Sequence, residues 1–597
     1  MKIGLEIHQR LLSKKLFCSC SSELAEEMPH EFIVKRQLRP VLSEMGEMDE
    51  ASRQEFENRK QFEYLVYPKN NCLVELDEEP PHEMNKEALA IALEIALHLN
   101  AKPVDEIHVM RKIVIDGSNT CGFQRTAIIA LDGWLETGKG KVNIPTIAIE
   151  EESAGIVKAE DGKITYRLDR LGIPLIEIST APEIKDGEHL LEVAERIGMI
   201  MRATGKVARG LGTIRQDVNV SIEGGARVEI KGAQELKMLP QLVENEIKRQ
   251  QKLIEIIEQL KKSGKITIKK EFTDVTHIFT ATEAKIIKNG LAAGQKVFAL
   301  ALPNHAGLLG IEIGPNRRYG TELSEYAKTA GVKGIIHSDE SMEKYGIKPA
   351  EIQELRTTLN LQPQDAFVLV VAESSVAKKA LQKVHERAIM DFVPKETRRA
   401  NPDGTTSYMR PLPGRARLYP ETDVPPIKIT KELLKEIEKQ KGASLEEKRK
   451  TLYSMLNKEM AEQMLKSKNL NLFERLVGSF PSVEPTLIAT TLENTVVSLR
   501  REGVQIDDIE KVMFELLEEY QKGSFVKAAI PNILKARKKY STIAETIKKE
   551  NLWKISGKEL QKIAEENNYD LKAIMAKYRL RIDANELKEI ISKKGDS

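Results

Sequence analysis

The sequence predicts a multidomain α+β protein: a β-rich core, an α/β module inserted into it, and an all-α C-terminal half. Three observations predict this. Short runs with apolar residues at every second position dominate residues 1 to about 240. Strand and helix signals then alternate over 272–392, after which loop-and-strand text rich in Arg and Pro returns. From Thr430 onward nearly every segment carries helical spacing.

The β-rich part reads as strands at Lys2–His8, Ile144–Glu152, Ile164–Leu168, Leu175–Ser179, Asp217–Ile222 and Arg227–Lys231. Helices interrupt them at Asn85–Leu99 and His189–Met201, and a longer one runs over 240–262 until Ser263-Gly264 stops it. The inserted module offers strands at Lys296–Leu302 and Phe367–Val371. In the last part, Ser444-Leu445-Glu446-Glu447 fits a helix capping box. The expected boundaries are 1–271 and 393–429 for the two core segments, 272–392 for the insertion, 430–506 for a helical domain and 507–597 for a tail domain.

A chain of 597 residues has room for three to five domains at roughly 100–200 residues each. Hydrophobic residues make up 41% and aromatics only 5%, so aliphatic side chains must fill most of the core. Lys plus Arg is 92 against 90 Asp plus Glu, a net charge of +2, so a nucleic-acid contact would have to rest on local basic patches. Four cysteines exclude a disulfide framework. The Met1–Glu6 start has no apolar signal core, and no apolar run reaches membrane length. A cytoplasmic setting without membrane contact is the expectation.

The polar faces of the strands carry the chemistry. Residues i and i+2 share a face. Ile3, Leu5 and Ile7 therefore oppose Glu6 and His8, and Val218 and Val220 oppose Asp217 and Asn219. Glu177 is a lone acid in Leu175-Ile176-Glu177-Ile178, and Glu150 and Glu152 share one face. An ordinary half-solvated sheet explains any single strand. Carboxylates with one imidazole also suit Mg²⁺ or Mn²⁺, and an ion would relieve the repulsion of clustered acids.

At these same residues the chain resembles the B/E family of tRNA-dependent amidotransferase subunits. The matching blocks are Gly4-Leu5-Glu6-Ile7-His8, Glu151-Glu152-Ser153-Ala154-Gly155, and Asp169-Arg170-Leu171-Gly172-Ile173-Pro174-Leu175-Ile176-Glu177-Ile178. They continue with Arg215-Gln216-Asp217-Val218-Asn219-Val220-Ser221, Val228-Glu229-Ile230-Lys231, Glu396-Thr397-Arg398-Arg399 and Tyr419-Pro420-Glu421-Thr422-Asp423. The insertion, with Gly314-Pro315-Asn316-Arg317-Arg318-Tyr319-Gly320, resembles the extra domain of bacterial-type aspartyl-tRNA synthetases. The archaeal-type E branch carries such a domain and the bacterial B branch lacks it.

The resemblance implies a cradle-shaped core with a kinase-like site. By motif, Glu6, His8, Glu152 and Glu177 fall on its metal-binding and catalytic positions, while Ser153 stands where many relatives have Asp. Arg215, Lys231, Arg398 and Arg399 are the nucleotide candidates, since phosphates take Arg or Lys. ATP would be held without a P-loop: Gly210-Leu211-Gly212 lacks the Gly and Lys that such a loop needs. The implied reaction is that of a glutamine-hydrolysing glutaminyl-tRNA synthase. The glutamyl side chain of Glu-tRNA(Gln) is phosphorylated, then amidated with ammonia. This chain has no amidase motif, so an asparaginase-like glutaminase partner of the D type would supply the ammonia, in a heterotetramer of two D-type and two E-type chains. The helical C-terminal part would grip the tRNA, with Lys535, Arg537, Lys538 and Lys539 as the basic run facing phosphates. Cys18-x-Cys20 with Cys72 resembles part of the structural zinc site of some B-type relatives, which a second Cys-x-x-Cys pair completes. Only Cys72 stands in that later region, one ligand short of a tetrahedral set. Reduced structural thiols are the plainer expectation, with Cys121 packing nearby.

Overall fold

In the computed structural model, Ile3, Leu5 and Ile7 are buried on one side of the Lys2–Arg10 strand, and Glu6 and His8 lie half-buried on the other. The structure describes residues 1–595 apart from 26–27, 42–45, 47, 49–51, 54–55, 57–59, 161, 265, 413 and 415–416. The chain forms two compact units. One holds 1–201 and 206–441; the other holds 202–205 and 442–597.

The first unit is built on an 11-stranded sheet. Its order is Thr406–Pro411, Glu396–Ala400, Val228–Lys231, Ile214–Ser221, Lys2–Arg10, Pro174–Ser179, Gly140–Glu151, Phe123–Thr137, Met110–Ile113 and Leu418–Pro420, with Lys102–Pro103 paired off this path. Neighbours are antiparallel except at one place: Val228–Lys231 runs parallel to Glu396–Ala400. Those two strands are the last before the insertion and the first after it. The chain thus leaves the sheet at one strand and resumes beside it, so 272–392 is spliced between two neighbours of one sheet.

The insertion has a four-stranded sheet of its own, in the order Thr273–Asp274, Lys296–Leu302, Ala366–Ala372, Ile336–His337. Every pairing in it is antiparallel, which corrects the expected α/β module to an α+β one. Alternating strands and helices suggest parallel pairing only when each helix carries the chain back to the same end of the sheet. Here Lys296–Leu302 and Ala366–Ala372 lie directly beside each other in opposite directions. The long helix Leu239–Lys262 lends Leu253, Ile256, Ile257 and Leu260 to the core beneath this sheet.

Buried ion pairs join the insertion to the large sheet. Arg249 bonds Glu246 (2.9 Å) and Glu322 (2.8 Å), and Arg398 bonds Glu325 (2.9 Å) and Glu396 (2.7 Å). Arg387 reaches Glu322 at 3.1 Å. Tyr326 stacks on Tyr408 at 3.8 Å and donates its hydroxyl to Glu396 at 2.6 Å. Desolvating so many charges is costly, so the network holds the domains only because each charge is paired.

The second unit is helical. Ser444 opens the helix Leu445–Met455 with the expected capping box: its Oγ accepts from the Glu447 amide at 3.2 Å, and Glu447 accepts from the Ser444 amide at 2.7 Å. The helix Lys431–Gln440, expected with the helical domain, clusters with the first unit instead. Residues 442–597 cluster together without a division near 506. Among the described residues, no helix is long and apolar enough to cross a membrane.

Candidate functional site

Cross-strand register sets the polar face of the large sheet. His8 lies opposite Glu177 on one side and Arg215 on the other; Glu6 lies opposite Ser179 and Asp217. Asn219 continues the row to Glu229 on the next strand. The result is a belt of acids around one imidazole.

His8 is the centre of one group. Its Nε2 lies 3.3 Å from Glu177 and 3.4 Å from Glu150. Lys112 donates to Glu150 at 2.6 Å and stands 3.8 Å from Glu177. Burial works against a charged imidazole, but Glu177, then Glu150 and Asp217, hold the pKa of His8 up at about 9. The same contact, with Lys112, keeps the Glu177 carboxyl well below its ordinary range despite burial. Ligand atoms of His8, Glu150 and Glu177 lie within 4.8 Å of one another, close enough to share one ion.

Glu6, Asp217 and Glu229 form the adjoining group, also within 4.8 Å. Lys231 bridges Asp217 and Glu229, each at 2.7 Å, and Asn219 donates to Glu6 at 3.1 Å. Burial first, then Glu177, Glu229 and Asp217, pushes the Glu6 carboxyl up to about 7. This is the signature of acids crowded together with too few cations. A divalent ion would supply the missing charge, and carboxylate oxygens with a single imidazole nitrogen suit a hard ion such as Mg²⁺ or Mn²⁺.

Of the four expected ligands, His8 and Glu177 fall in one group and Glu6 in the adjoining one. Glu152 does not join them. Its strand ends at Glu151, and the fully buried Glu152 carboxylate is taken by Arg10, by Arg170 at 3.1 Å and by Arg215. Glu150, which shares its face by alternation, stands beside His8 instead. Three guanidiniums around one carboxylate leave an excess of positive charge at this end of the face. Arg10 also lines an open cleft together with Lys14 and Ser19.

The nucleotide candidates divide as well. Arg215 and Lys231 lie on the polar face. Arg399 pairs with Lys231 in register, shares that face, and is exposed. Arg398 pairs with Ile230, so it points to the opposite face and is consumed by Glu325, Glu396 and Thr406. Glu421, in the Tyr419–Asp423 block, is buried against Arg111 at 2.5 Å and Arg125 at 2.8 Å, and ties that edge strand down.

The basic run belongs to the helical unit. Lys535 lies in the last turn of the helix Ile530–Ala536, and Arg537, Lys538 and Lys539 form the turn after it. Lys535 pairs with Glu502 at 3.1 Å, Arg537 with Glu515 at 3.3 Å and Lys539 with Glu550 at 3.7 Å, while Lys538 is exposed. Sequence reasoning passed over Glu150, Asp217, Glu229 and Lys112 as members of the site. Alternation marks the three acids, but nothing local marks Lys112, which reaches Glu150 from two strands away.

A model of the GatB/GatE catalytic domain matches residues 1–435. This chain belongs to the GatB/GatE family. Relatives of near full length agree on the branch. The E-type subunit of glutamyl-tRNA(Gln) amidotransferase from Methanocaldococcus jannaschii is 48% identical over 575 residues, covering 95% of this chain and 91% of that one. Its counterpart of the same name from Pyrococcus furiosus is 48% identical, covering 95% and 90%. That from Pyrobaculum calidifontis is 43% identical, covering 99% and 98%. Membership of the GatB/GatE family places the chain in the amidotransferase class of carbon–nitrogen ligases that serve protein biosynthesis.

Proposed function

We propose that the chain is the ATP-using, tRNA-binding component that converts Glu-tRNA(Gln) to Gln-tRNA(Gln). The observation that carries this is the acid belt around His8, set on one sheet face beside an arginine-rich end. The two halves suit the two ends of a metal-bound triphosphate. The printed names of the relatives support the substrate.

Free carboxylate is a poor acyl donor. The glutamyl carboxylate oxygen attacks the γ-phosphorus of ATP, the bond to the β-phosphate oxygen breaks, and ADP leaves. The ammonia nitrogen then attacks the activated carbonyl carbon and inorganic phosphate departs. Mg²⁺ held by His8, Glu150 and Glu177, with Glu6 adjoining, would neutralise phosphate charge. Around it, Lys231 and Arg399 present cations along the rim. Glu152 acts through others: it fixes Arg10, Arg170 and Arg215 in one cluster, so that their excess charge faces an anion without reorganisation. Such positioning and charge are what phosphoryl transfer chiefly needs.

Ammonia would come from a glutaminase partner of the D type, in a heterotetramer of two D-type and two E-type chains. The exposed Lys538 and its neighbours would take tRNA phosphates away from the reacting end. The test supplies the purified chain with ATP, Mg²⁺, glutamyl-tRNA and free ammonium. Formation of glutaminyl-tRNA with stoichiometric ADP is expected. Failure to form either product, with tRNA bound, would overturn the reading.

A further inference from the structure

The Lys2–Arg10 strand breaks its own pattern at one position. Ile3, Leu5 and Ile7 fill its apolar side, and alternation puts Gln9 there next. Gln9 is 2% exposed. A leucine would fill that space without the cost of drying a carboxamide, which only hydrogen bonds offset. The bonds all go to carbonyls around one loop. Gln9 Nε2 lies 2.9 Å from the Ala208 carbonyl, 3.0 Å from that of Thr213 and 3.1 Å from that of Arg10. Ala208 and Thr213 are the two ends of the loop that leads into the Ile214–Ser221 strand. One amide therefore closes this loop across its mouth.

Arg10 lies in that mouth. Its amide donates to the Thr213 carbonyl at 3.0 Å, and its carbonyl accepts from the Ala208 amide at 2.9 Å. Arg215 follows two residues after Thr213, in register with His8. The backbone that carries Arg10 and the backbone that delivers Arg215 are thus tied together from the apolar side of the sheet, while their guanidiniums meet Glu152 on the other. Arg10 and Ala208 both line the same cleft.

The loop itself has little to hold it. Gly210 (φ +119°) and Gly212 (φ +75°) take left-handed backbone, with open space where a Cβ would stand. Leu211 between them is fully exposed. Inside the loop the Thr213 hydroxyl donates to the Gly210 carbonyl at 2.8 Å. A segment with two glycines and little burial opens at low cost unless its ends are fixed.

We infer that Gln9 is a positioning residue, whose buried carboxamide clamps the 208–213 loop so that Arg10 and Arg215 present one prearranged seat for a polyphosphate chain. This rests on the reading of the arginine-rich end as the place of the triphosphate. Gln9 touches neither substrate nor reacting atoms. It spares the guanidiniums a rearrangement when the anion arrives, which is where fixed charges act most strongly.

The experiment uses the full chain and the Gln9→Met variant, which keeps the length of the side chain and removes its donors. Affinity for inorganic tripolyphosphate with Mg²⁺, measured by titration calorimetry, should fall about ten-fold, the scale of one misaligned hydrogen bond to a charged group. In the ammonium-dependent assay the KM for ATP should rise by a similar factor, with the KM for glutamyl-tRNA unchanged. Hydrogen exchange over 208–213 should quicken. A merely structural role predicts another result: fewer folded molecules, hence a lower kcat, with both KM values and the tripolyphosphate affinity unmoved. That result would overturn the clamp, as would a parent chain that binds no tripolyphosphate. Thr213→Val removes the bond inside the loop without entering the apolar core. It should move the same readouts in the same direction, by a smaller factor, and decides the matter where Gln9→Met does not fold; unmoved affinity there also overturns the clamp. A parent that binds tripolyphosphate but forms no ADP would sink the phosphoryl-transfer reading alone, and the tripolyphosphate affinities of the variants would still decide the role of Gln9.

Discussion

The imidazole of His8 comes within 3.4 Å of Glu150, a residue two strands away on the same sheet face. That contact makes Glu150, rather than Glu152, the third member of the group that includes Glu177. In the Glu150→Gln variant, ammonium-dependent glutaminyl-tRNA formation should fall by about 10²–10³, the scale of removing one preorganised electrostatic group. Steady-state kcat measures it. Wild-type activity in this variant would remove Glu150 from the site.

Glu152 should behave differently. Its carboxylate is the common partner of Arg10, Arg170 and Arg215. Glu152→Gln leaves three buried or half-buried guanidiniums without their counter-ion, at a cost of about 3–5 kcal/mol. Urea unfolding should show this as a lowered midpoint. A variant as stable as the parent would contradict the structural role.

Neighbours in sequence should also separate Arg398 from Arg399. Arg398→Ala breaks the buried network and should destabilise by about 3–5 kcal/mol. Exposed Arg399→Ala should change stability by no more than about 0.5 kcal/mol. Its effect should appear instead as a raised KM for ATP. Equal midpoints for the two variants would argue against the register that sends them to opposite faces.

Acid should loosen the join between insertion and sheet. Burial alone would raise the Glu322 carboxyl, but Arg249, Arg398 and Arg387 hold it well below its ordinary value. The folded state therefore binds fewer protons than the unfolded one once pH falls into the carboxylate range. The stabilisation is fully present above the unfolded value of about 4.3 and is lost as pH drops below it. Glu322→Gln should be less stable than the parent at pH 7 and show a shallower decline on acidification, read from unfolding midpoints at several pH values.

For the helical unit, Lys538→Ala should weaken tRNA binding and reduce the slope of log affinity against log salt by about one. Lys535 and Lys539 already have acidic partners, so their loss should matter less. A salt slope unchanged in all three variants would remove the basic run from the interface.

Much of the architecture was legible as text because alternation and helical spacing are local. The strand expected at Lys296–Leu302 has those bounds, and the helix expected over 240–262 runs Leu239–Lys262. The capping box at Ser444 formed as its spacing indicated. The cysteine cluster was half legible: three cysteines stand out, while Glu75 is one acid among many until folding brings it to Cys18.

The sequence alone determined which residues face away from the apolar core, because side chains on a strand alternate without reference to anything distant. It also grouped Glu6, His8, Glu152 and Glu177 as one chemistry. Only the tertiary structure decided that Glu150 meets His8 while Glu152 is claimed by arginines. Both acids lie on the same side by alternation. Which one reaches the imidazole depends on where the strand stops and how it is staggered against strands more than a hundred residues away. Stagger is a property of pairing, and no stretch of single-strand text contains it.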